Sequence, residues 1–159
     1  MILTDLAAFR AALPPMRPVA GLDLGDKTIG VAVSDRLRHV ATPVTVIRRV
    51  KFTPDAAALL ALLTEREVGG IVFGLPLNMD GSIGPRVQAT QAFARNLEKL
   101  TPLPITYWDE RLSTVAAERA LLEADASRKR RAEVIDKVAA GYILQGALDR
   151  LARMEASDV

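Results

Sequence analysis

The feature that most constrains this chain is a carboxylate inside an apolar strand. Val19–Leu24 is an otherwise apolar run interrupted by Asp23, and a Gly/Asp turn separates it from a second β-prone run, Ile29–Ser34. A carboxylate in a central strand is costly unless it is paired or holds a metal ion. On the strand face that carries Asp23, the alternate neighbours are Gly21 and Gly25, which leave room for an ion or a phosphate.

The pattern around this strand predicts a mixed sheet. Two short β-prone runs around a turn are typical of a hairpin, and Val44–Ile47 is expected to add a third antiparallel strand. Helix-then-strand units follow, and each should add a parallel strand by a right-handed crossover. We therefore predict an α/β fold whose five-stranded mixed sheet is flanked by helices. The later predicted elements are a helix from Thr53 and Pro54 to about Gly69-Gly70, a strand at 71–73, a helix from about Pro85 to Leu100, a strand at 105–108, a helix from Ser113 or Thr114 to about Ala124, and a helix from about Ala132 to Met154.

The N-terminal 17 residues are predicted to form a helical extension. Leu6, Phe9 and Leu13 recur at helical spacing, Thr4 is placed to cap the helix, and Pro14-Pro15 ends it. No repeat or linker divides the chain. We expect one domain over residues 1–159, with the extension at 1–17.

Composition narrows the chemistry that is available. The chain has no cysteine, which excludes a disulfide framework, a Cys-ligated zinc site and a cysteine nucleophile. His39 is the only histidine, and we expect it in a loop without an assigned role. The net charge of +2 is a weak argument for a polyanionic partner. No apolar stretch is long enough to span a membrane, and the N-terminus lacks a secretory signal, so a cytoplasmic protein is expected.

Two more carboxylates are expected near Asp23. Glu110 follows the last predicted strand, and Asp136 is in line with Ala140 and Ile143 on the apolar stripe of the last helix. Each acid also has a structural interpretation, such as a turn cap for Asp23 or a complement to the helix dipole for Asp136. Together they favour a site for Mg²⁺ or Mn²⁺, which prefer oxygen ligands. Two such ions can stabilise the attacking and leaving oxygens in phosphodiester hydrolysis.

Candidate phosphate-binding residues lie in a glycine-rich loop and in two basic runs. The loop, Gly74–Ser82, precedes a helix N-terminus that could bind phosphate; the alternative is a tight loop whose polar groups satisfy its own backbone. Each basic run, Arg48-Arg49-x-Lys51 and Arg128–Arg131, is by itself most simply a solvated patch, unless a nearby site calls for phosphate binding. Trp108 could stack a base, but a Trp that ends a strand more often lies in the core. The candidate substrate-binding residues are Asn78, Ser82, Arg86, Arg111, Arg128, Lys129, Arg130 and Arg131.

Four sequence blocks follow one another from about Pro18 to Arg150. They are Gly21–Asp35, Gly74–Ser82 with Gly84-Pro-Arg86, Asp109–Thr114, and Ile135–Ala140 with Ile143-Leu-Gln145. In this order they resemble the YqgF/RuvX family of pre-16S rRNA nucleases and Holliday-junction resolvase-like proteins. The resemblance implies an RNase H-like fold and places the family's three carboxylates at Asp23, Glu110 and Asp136.

The resemblance also implies a task, a cofactor and partners. The task is metal-dependent maturation of the 5′ end of 16S rRNA, with two Mg²⁺ or Mn²⁺ ions as cofactor and an rRNA precursor, within a ribosomal particle, as partner. The alternative is cleavage of four-way DNA junctions. The sequence alone does not distinguish RNA from DNA, and it does not fix the oligomeric state.

Two other classes of function stay open. The pattern Asp-x-Gly-x-x-x-x-Gly-Val that begins at Asp23 also resembles the phosphate loop of actin-like and sugar-kinase folds. That interpretation needs a second lobe and a second phosphate loop, for which 159 residues leave little room. The other class is a catalytically idle RNA-binding or ribosome-assembly module, which would depend on Arg128–Arg131 and not on Asp23.

Overall fold

Five strands form one mixed sheet in the order β3-β2-β1-β4-β5. This computed structural model describes residues 1–112 and 128–157. β1, β2 and β3 are antiparallel neighbours, while β4 pairs with β1, and β5 with β4, in parallel. The predicted α/β class and the mixed sheet are thereby confirmed. The strands are β1 (Val19–Leu24), β2 (Thr28–Ser34), β3 (Ala41–Arg48), β4 (Gly70–Leu75) and β5 (Ile105–Asp109).

Helices cover both faces of this sheet. Along β1, Ala20 and Leu22 belong to the apolar core under α2 and α3, whereas Val19 packs with α4 and Gly21 lies against its backbone. By strand alternation, Asp23 is on the α4 face. The predicted helix at 113–124 lies outside the described residues, and none of the described helices is long and apolar enough to cross a membrane. The helices are α1 (Leu6–Ala12), α2 (Phe52–Glu65), α3 (Pro85–Glu98) and α4 (Arg128–Ser157), and a 3₁₀ turn spans Glu110–Leu112.

The N-terminal segment is tied to the sheet as well as forming a helix. Ile2 bridges Ile105 in parallel, so the segment covers the outer side of β5. Asp5 caps α1 in place of the expected Thr4, since its carboxylate accepts a hydrogen bond from the Ala7 N–H at 3.1 Å. The division into a domain and an extension at residue 17 stays a prediction.

α2 is shifted towards the N-terminus from its predicted position. It begins at Phe52 because Asp55, inside its first turn, accepts the Val50 N–H at 3.1 Å and so stabilises the helix start from within. It ends at Glu65, because Glu67 adopts a left-handed conformation with φ of 57°. The glycine pair that was predicted to end this helix instead leads into β4.

The described part of α4 includes four residues that precede its predicted start. The predicted start at about Ala132 is wrong, because Arg128–Arg131 are already helical. Arg and Lys are good helix formers, and this turn has no glycine or proline that would stop the helix before Ala132.

Candidate active site

Three parallel strands end side by side at what we call the carboxyl edge of the sheet. β1, β4 and β5 end there at Leu24, Leu75 and Asp109. Because β2 and β3 are antiparallel, β2 begins and β3 ends at this same edge, where Thr28 pairs with Arg48. The opposite edge is where β1, β4 and β5 begin. Ligands of open α/β sheets bind beyond the carboxyl ends of the strands.

Asp23 is buried near the carboxyl edge, with glycines as its neighbours in the sheet. The residue is 3% exposed and pairs with Gly30 of β2. On β4 the last registered pair is Leu22 with Phe73, so Asp23 comes beside Gly74. The alternative in which Asp23 faces solvent at the strand end is therefore wrong. The missing side chains leave space around its carboxylate on the α4 face.

Glu110 lies directly over Gly74. It is half-buried in the 3₁₀ turn that follows β5. A Cβ atom added at Gly74 would lie 3.2 Å from Glu110 Oε1 and would come closest of all to Ile143 Cδ1. The structure therefore brings two of the predicted carboxylates, Asp23 and Glu110, next to one glycine.

Asp136 lies on α4, one turn before Ala140. At Gly21, an added Cβ would lie 3.0 Å from the Ala140 carbonyl oxygen and 2.5 Å from Leu144 Cβ, so the helix backbone rests directly on β1. Further along α4, Gln145 contacts the start of β3 at the opposite edge. The turn that carries Asp136 is thus at the carboxyl-edge end of the helix.

The side chains of Asp136 and of Arg128–Arg131 lie outside the described part of the structure. Among the residues that are described, no group of three or more acidic or histidine side chains is arranged to hold a metal ion. The roles of Asp136 and of Arg128–Arg131 therefore stay predictions, based on backbone position alone.

The glycine-rich loop closes on itself. The Asn78 N–H donates to the Ser82 carbonyl at 3.1 Å, and the Asn78 Nδ2 donates to Ser82 Oγ at 2.9 Å. Asp80 accepts both the Ser82 N–H and its hydroxyl, and the hydroxyl bond is the main reason that the pKa of Asp80 is lowered. Gly81, with φ of 86°, allows the turn. This is the arrangement expected of a self-satisfied loop; phosphate binding by Asn78 and Ser82 stays a prediction.

Arg111 joins the end of β5 to this loop. Its guanidinium donates to the Asp109 carboxylate through Nε at 3.0 Å and Nη2 at 2.7 Å, and Nη1 reaches the Met79 carbonyl at 3.4 Å. The hydrogen bonds between the two side chains lower the pKa of Asp109 and raise that of Arg111. The sequence predicted that Arg111 binds substrate and did not predict its ion pair with Asp109. An acid two residues before an arginine in a turn could have indicated this pair. Arg86 is exposed in the first turn of α3.

Trp108 belongs to the core, as its position at a strand end indicated. It is 7% exposed and packs against α4, where a Cβ added at Gly146 would lie 2.9 Å from its Nε1. Within the described residues this Nε1 has no hydrogen-bond partner.

Gln145 is a structural residue that sequence analysis left without a role. Its Oε1 accepts the Ala41 N–H at 2.9 Å, and its Nε2 donates to the His39 carbonyl at 3.0 Å. Gln145 thereby fixes α4 to the β2–β3 connection. His39 is exposed in that connection, as expected.

Comparison with known proteins gives a consistent result. The family model described as "RuvX: Holliday junction resolvase" matches residues 17–150. A relative in Paracoccus denitrificans, named "Putative pre-16S rRNA nuclease", is 74% identical over 95% of this chain and 96% of its own. A relative of the same name in Ruegeria pomeroyi is 71% identical over 95% of this chain and 98% of its own.

Solved structures with low sequence identity share the fold. RuvC from T. thermophilus, in complex with a Holliday junction substrate, matches with a TM-score of 0.54 at 15% identity, covering 87% of this chain and 96% of that one. The yeast mitochondrial Holliday junction resolvase Ydc2 matches with a TM-score of 0.52 at 14% identity, covering 95% and 86%. The predicted RNase H-like fold is confirmed by these matches.

Proposed function

This chain belongs to the RuvX family, and on that premise we propose that it is a nuclease that matures the 5′ end of pre-16S rRNA in ribosome biogenesis. The curated relatives carry this substrate in their name, and they align with nearly the whole chain. The observation that carries the proposal is the meeting of Asp23 and Glu110 around Gly74 at the carboxyl edge. A cytoplasmic location and a single domain follow as parts of the same proposal.

The carboxylates at this edge fit a hard divalent cation. Asp23 and Glu110 offer oxygen ligands, which Mg²⁺ and Mn²⁺ prefer, and Gly74 keeps open the space that a Cβ would fill 3.2 Å from Glu110 Oε1. We assign Asp136 as the third ligand from its place on α4. Two ions bound here would supply electrostatic stabilisation of the attacking and leaving oxygens.

The protein's own part is to hold these carboxylates and the scissile phosphate in position. Asp23 is fixed within a paired strand, and Glu110 is placed by the turn after β5. The N-terminus of α3 lies beyond β4 and has Gly84 at its cap position, without a capping side-chain hydrogen bond. Its first-turn N–H groups and Arg86 are therefore placed to bind a phosphate of the substrate.

Cleavage of four-way DNA junctions is the second candidate. It is favoured by the description of the matching family model. A resolvase that cuts two strands symmetrically would act as a dimer, so the two candidates differ in oligomeric state as well as in substrate.

The test is cleavage of a substrate panel with Mn²⁺, with Mg²⁺ and with EDTA. The panel contains a single-stranded RNA, a 16S precursor with its 5′ leader and a four-way DNA junction. Metal-dependent cutting of the precursor supports rRNA maturation, whereas cutting of the junction alone supports the resolvase. If nothing is cut, a binding module without activity replaces the nuclease.

Substitution of each carboxylate provides the first prediction. We expect Asp23→Asn, Glu110→Gln and Asp136→Asn each to reduce cleavage by at least about 100-fold, which exceeds the usual effect of residues that only support a metal ligand. Glu65→Gln is the matched control, because Glu65 is an exposed carboxylate at the end of α2, away from the carboxyl edge. Circular dichroism checks folding. Wild-type turnover in any of the three variants would remove that residue from the triad.

A further inference from the structure

A second basic cluster lies at the carboxyl edge. Arg48, the last residue of β3, pairs with Thr28, and the Arg49 N–H donates to the Lys27 carbonyl at 2.8 Å. The run that follows β3 is therefore held against the turn between β1 and β2. We call Lys27, Arg48, Arg49 and Lys51 together the basic turn.

Arg49 differs from the other three members of the basic turn. It is half-buried, its Nη1 donates to the Gly25 carbonyl at 2.6 Å, and its guanidinium carbon lies 5.9 Å from the ring centroid of Phe93. Its role is to fix the shape of the turn. Lys27, Arg48 and Lys51 are exposed.

Two acids among the described residues lie near this surface. Asp26 is exposed within the turn itself and offsets one positive charge. Asp55 is only 5% exposed, and both of its oxygens accept the Val50 N–H at 3.1 Å, so it is directed into the start of α2. Of these two acids, only Asp26 shares the exposed surface with Lys27, Arg48 and Lys51.

We propose that Lys27, Arg48 and Lys51 bind backbone phosphates of the nucleic-acid strand whose scissile bond lies at Asp23 and Glu110. This inference rests on the proposed function, because it extends the substrate path of the same site. From the sequence alone, Arg48–Lys51 is most simply interpreted as a solvated patch. The fold places this run at the same edge as Asp23 and Glu110, which favours phosphate binding instead.

The distance from the carboxylates suits this role. Neighbouring strands lie about 4.8 Å apart, so β3 lies about 10 Å from β1 across the sheet. A span of this size is covered by a few nucleotides of one strand, so phosphates near the scissile bond can reach the basic turn. Exposed Lys and Arg contacts to phosphate position a strand without selecting its sequence. The basic turn is thus expected to orient the substrate and not to read bases.

The test is equilibrium binding of a fluorescently labelled pre-16S 5′ leader RNA at several KCl concentrations. Every variant carries Glu110→Gln, so that cleavage does not interfere. The test variant is Lys27→Gln/Arg48→Gln/Lys51→Gln. The matched control, Arg17→Gln/Arg66→Gln/Lys99→Gln, removes the same charge from exposed residues at the opposite edge.

We expect the test variant to bind at least about 10-fold more weakly than its parent. The slope of log K against log salt should fall by about 2, since three phosphate contacts to a single strand contribute about 0.7 each. The control should change affinity by less than about 2-fold, and the charge-conserving variant Lys27→Arg/Arg48→Lys/Lys51→Arg should keep its affinity. Unchanged binding by the test variant, or an equal loss in both triple variants, would overturn the proposal.

Different results would overturn the phosphate-binding proposal and the proposed nuclease function. A parent protein that binds the leader through the basic turn, while the protein with Glu110 intact cuts nothing, overturns the nuclease and leaves the basic turn standing. A protein that cuts the leader but binds it equally well without these three charges overturns the basic turn and leaves the nuclease standing.

Discussion

The two faces of the sheet are packed with different kinds of residue. Towards α2 and α3 the sheet presents large apolar side chains that are fully buried. Towards α4, Gly21 and Gly74 interrupt a set of apolar side chains that includes Val72, and the helix backbone and the Ile143 side chain rest on these two glycines. The buried polar side chains of β1 and β5 also lie on the α4 face. They are Asp23 and Thr106.

The face towards α2 and α3 mainly stabilises the fold, whereas the α4 face carries the carboxylates of the candidate site. Large apolar side chains stabilise the fold in proportion to the area they bury, and the face towards α2 and α3 carries most of them. The α4 face gives up side-chain volume at Gly21 and Gly74, so that a helix and two carboxylates come close to one another. Substitutions on the two faces should therefore fail in different assays.

The largest expected effect is on the apolar face. Phe73 is fully buried and contacts the rings of Phe93 and Tyr107, with centroids 6.0 and 6.5 Å away. Phe73→Ala should lower the free energy of unfolding by about 3–5 kcal/mol, and Phe73→Leu by less. Urea unfolding followed by the fluorescence of Trp108, the only tryptophan, measures this loss.

Activity per folded molecule decides whether this face serves stability alone. It should stay at the wild-type value in Phe73→Leu. A loss of cleavage larger than the unfolded fraction would contradict the separation of the two faces. Leu100→Ala is the control, because it shortens an apolar side chain at an exposed position, where little stability should be lost.

Gly21→Ala should have the next largest effect, and again on stability. The new Cβ would lie 2.5 Å from Leu144 Cβ and 3.0 Å from the Ala140 carbonyl oxygen, so α4 must move away from β1. Overpacking of this kind costs about 1–3 kcal/mol. Thermal unfolding measures it. Leu144→Ala should not rescue the variant, because the atoms in conflict are the Cβ and the backbone; a rescue would show that α4 is less closely seated.

Gly74→Ala should act mainly on activity. Its closest conflict is with Ile143 Cδ1, the far end of a flexible side chain, which can move at small cost, but the same Cβ comes 3.2 Å from Glu110 Oε1. We expect cleavage to fall about 10–100-fold, as for residues that support a metal ligand, with a smaller change in melting temperature than in Gly21→Ala. Equal losses of stability in the two alanine variants would remove the distinction.

The sheet could be predicted from sequence because its signals are local. Val19–Leu24 and the other strands are short apolar runs bounded by glycine, proline or charged residues, and their order alone indicates the crossovers. The position of Asp23 between glycines and that of Glu110 after β5 were predictable for the same reason. The resemblance then named the family, which the comparisons confirm.

The remaining features depend on contacts that are distant in sequence. Gln145 bonds to Ala41 across 104 residues, and Ile2 bonds to Glu98 across 96 residues. Neither pair has a local signature. The basic turn depends on a distant contact in the same way, because the register between Thr28 and the end of β3 brings its members together.

The smallest expected effect is on stability and concerns Asp35. This residue lies in the β2–β3 connection, which Gln145 of α4 contacts at the opposite edge. Asp35 accepts the N–H groups of Val40 at 2.9 Å and His39 at 2.7 Å, and the bond from Val40 is the main cause of its lowered pKa. Because this carboxylate is exposed, Asp35→Asn should cost less than about 1 kcal/mol at neutral pH. Cleavage should be unchanged, since the site lies at the other edge.

The pH dependence of that cost follows from the sign of the pKa shift. A carboxylate whose pKa is lower in the folded than in the unfolded state, where it is about 3.9, stabilises the fold fully above the unfolded value. This contribution is lost as the pH falls through the folded value. The stability difference between wild type and Asp35→Asn should therefore be present at pH 6 to 7 and shrink below about pH 4. Urea midpoints across this range measure it. A stability difference that does not change with pH would show that the charge of Asp35 contributes nothing to folding. Gln145 would then connect α4 to the opposite edge without help from this carboxylate.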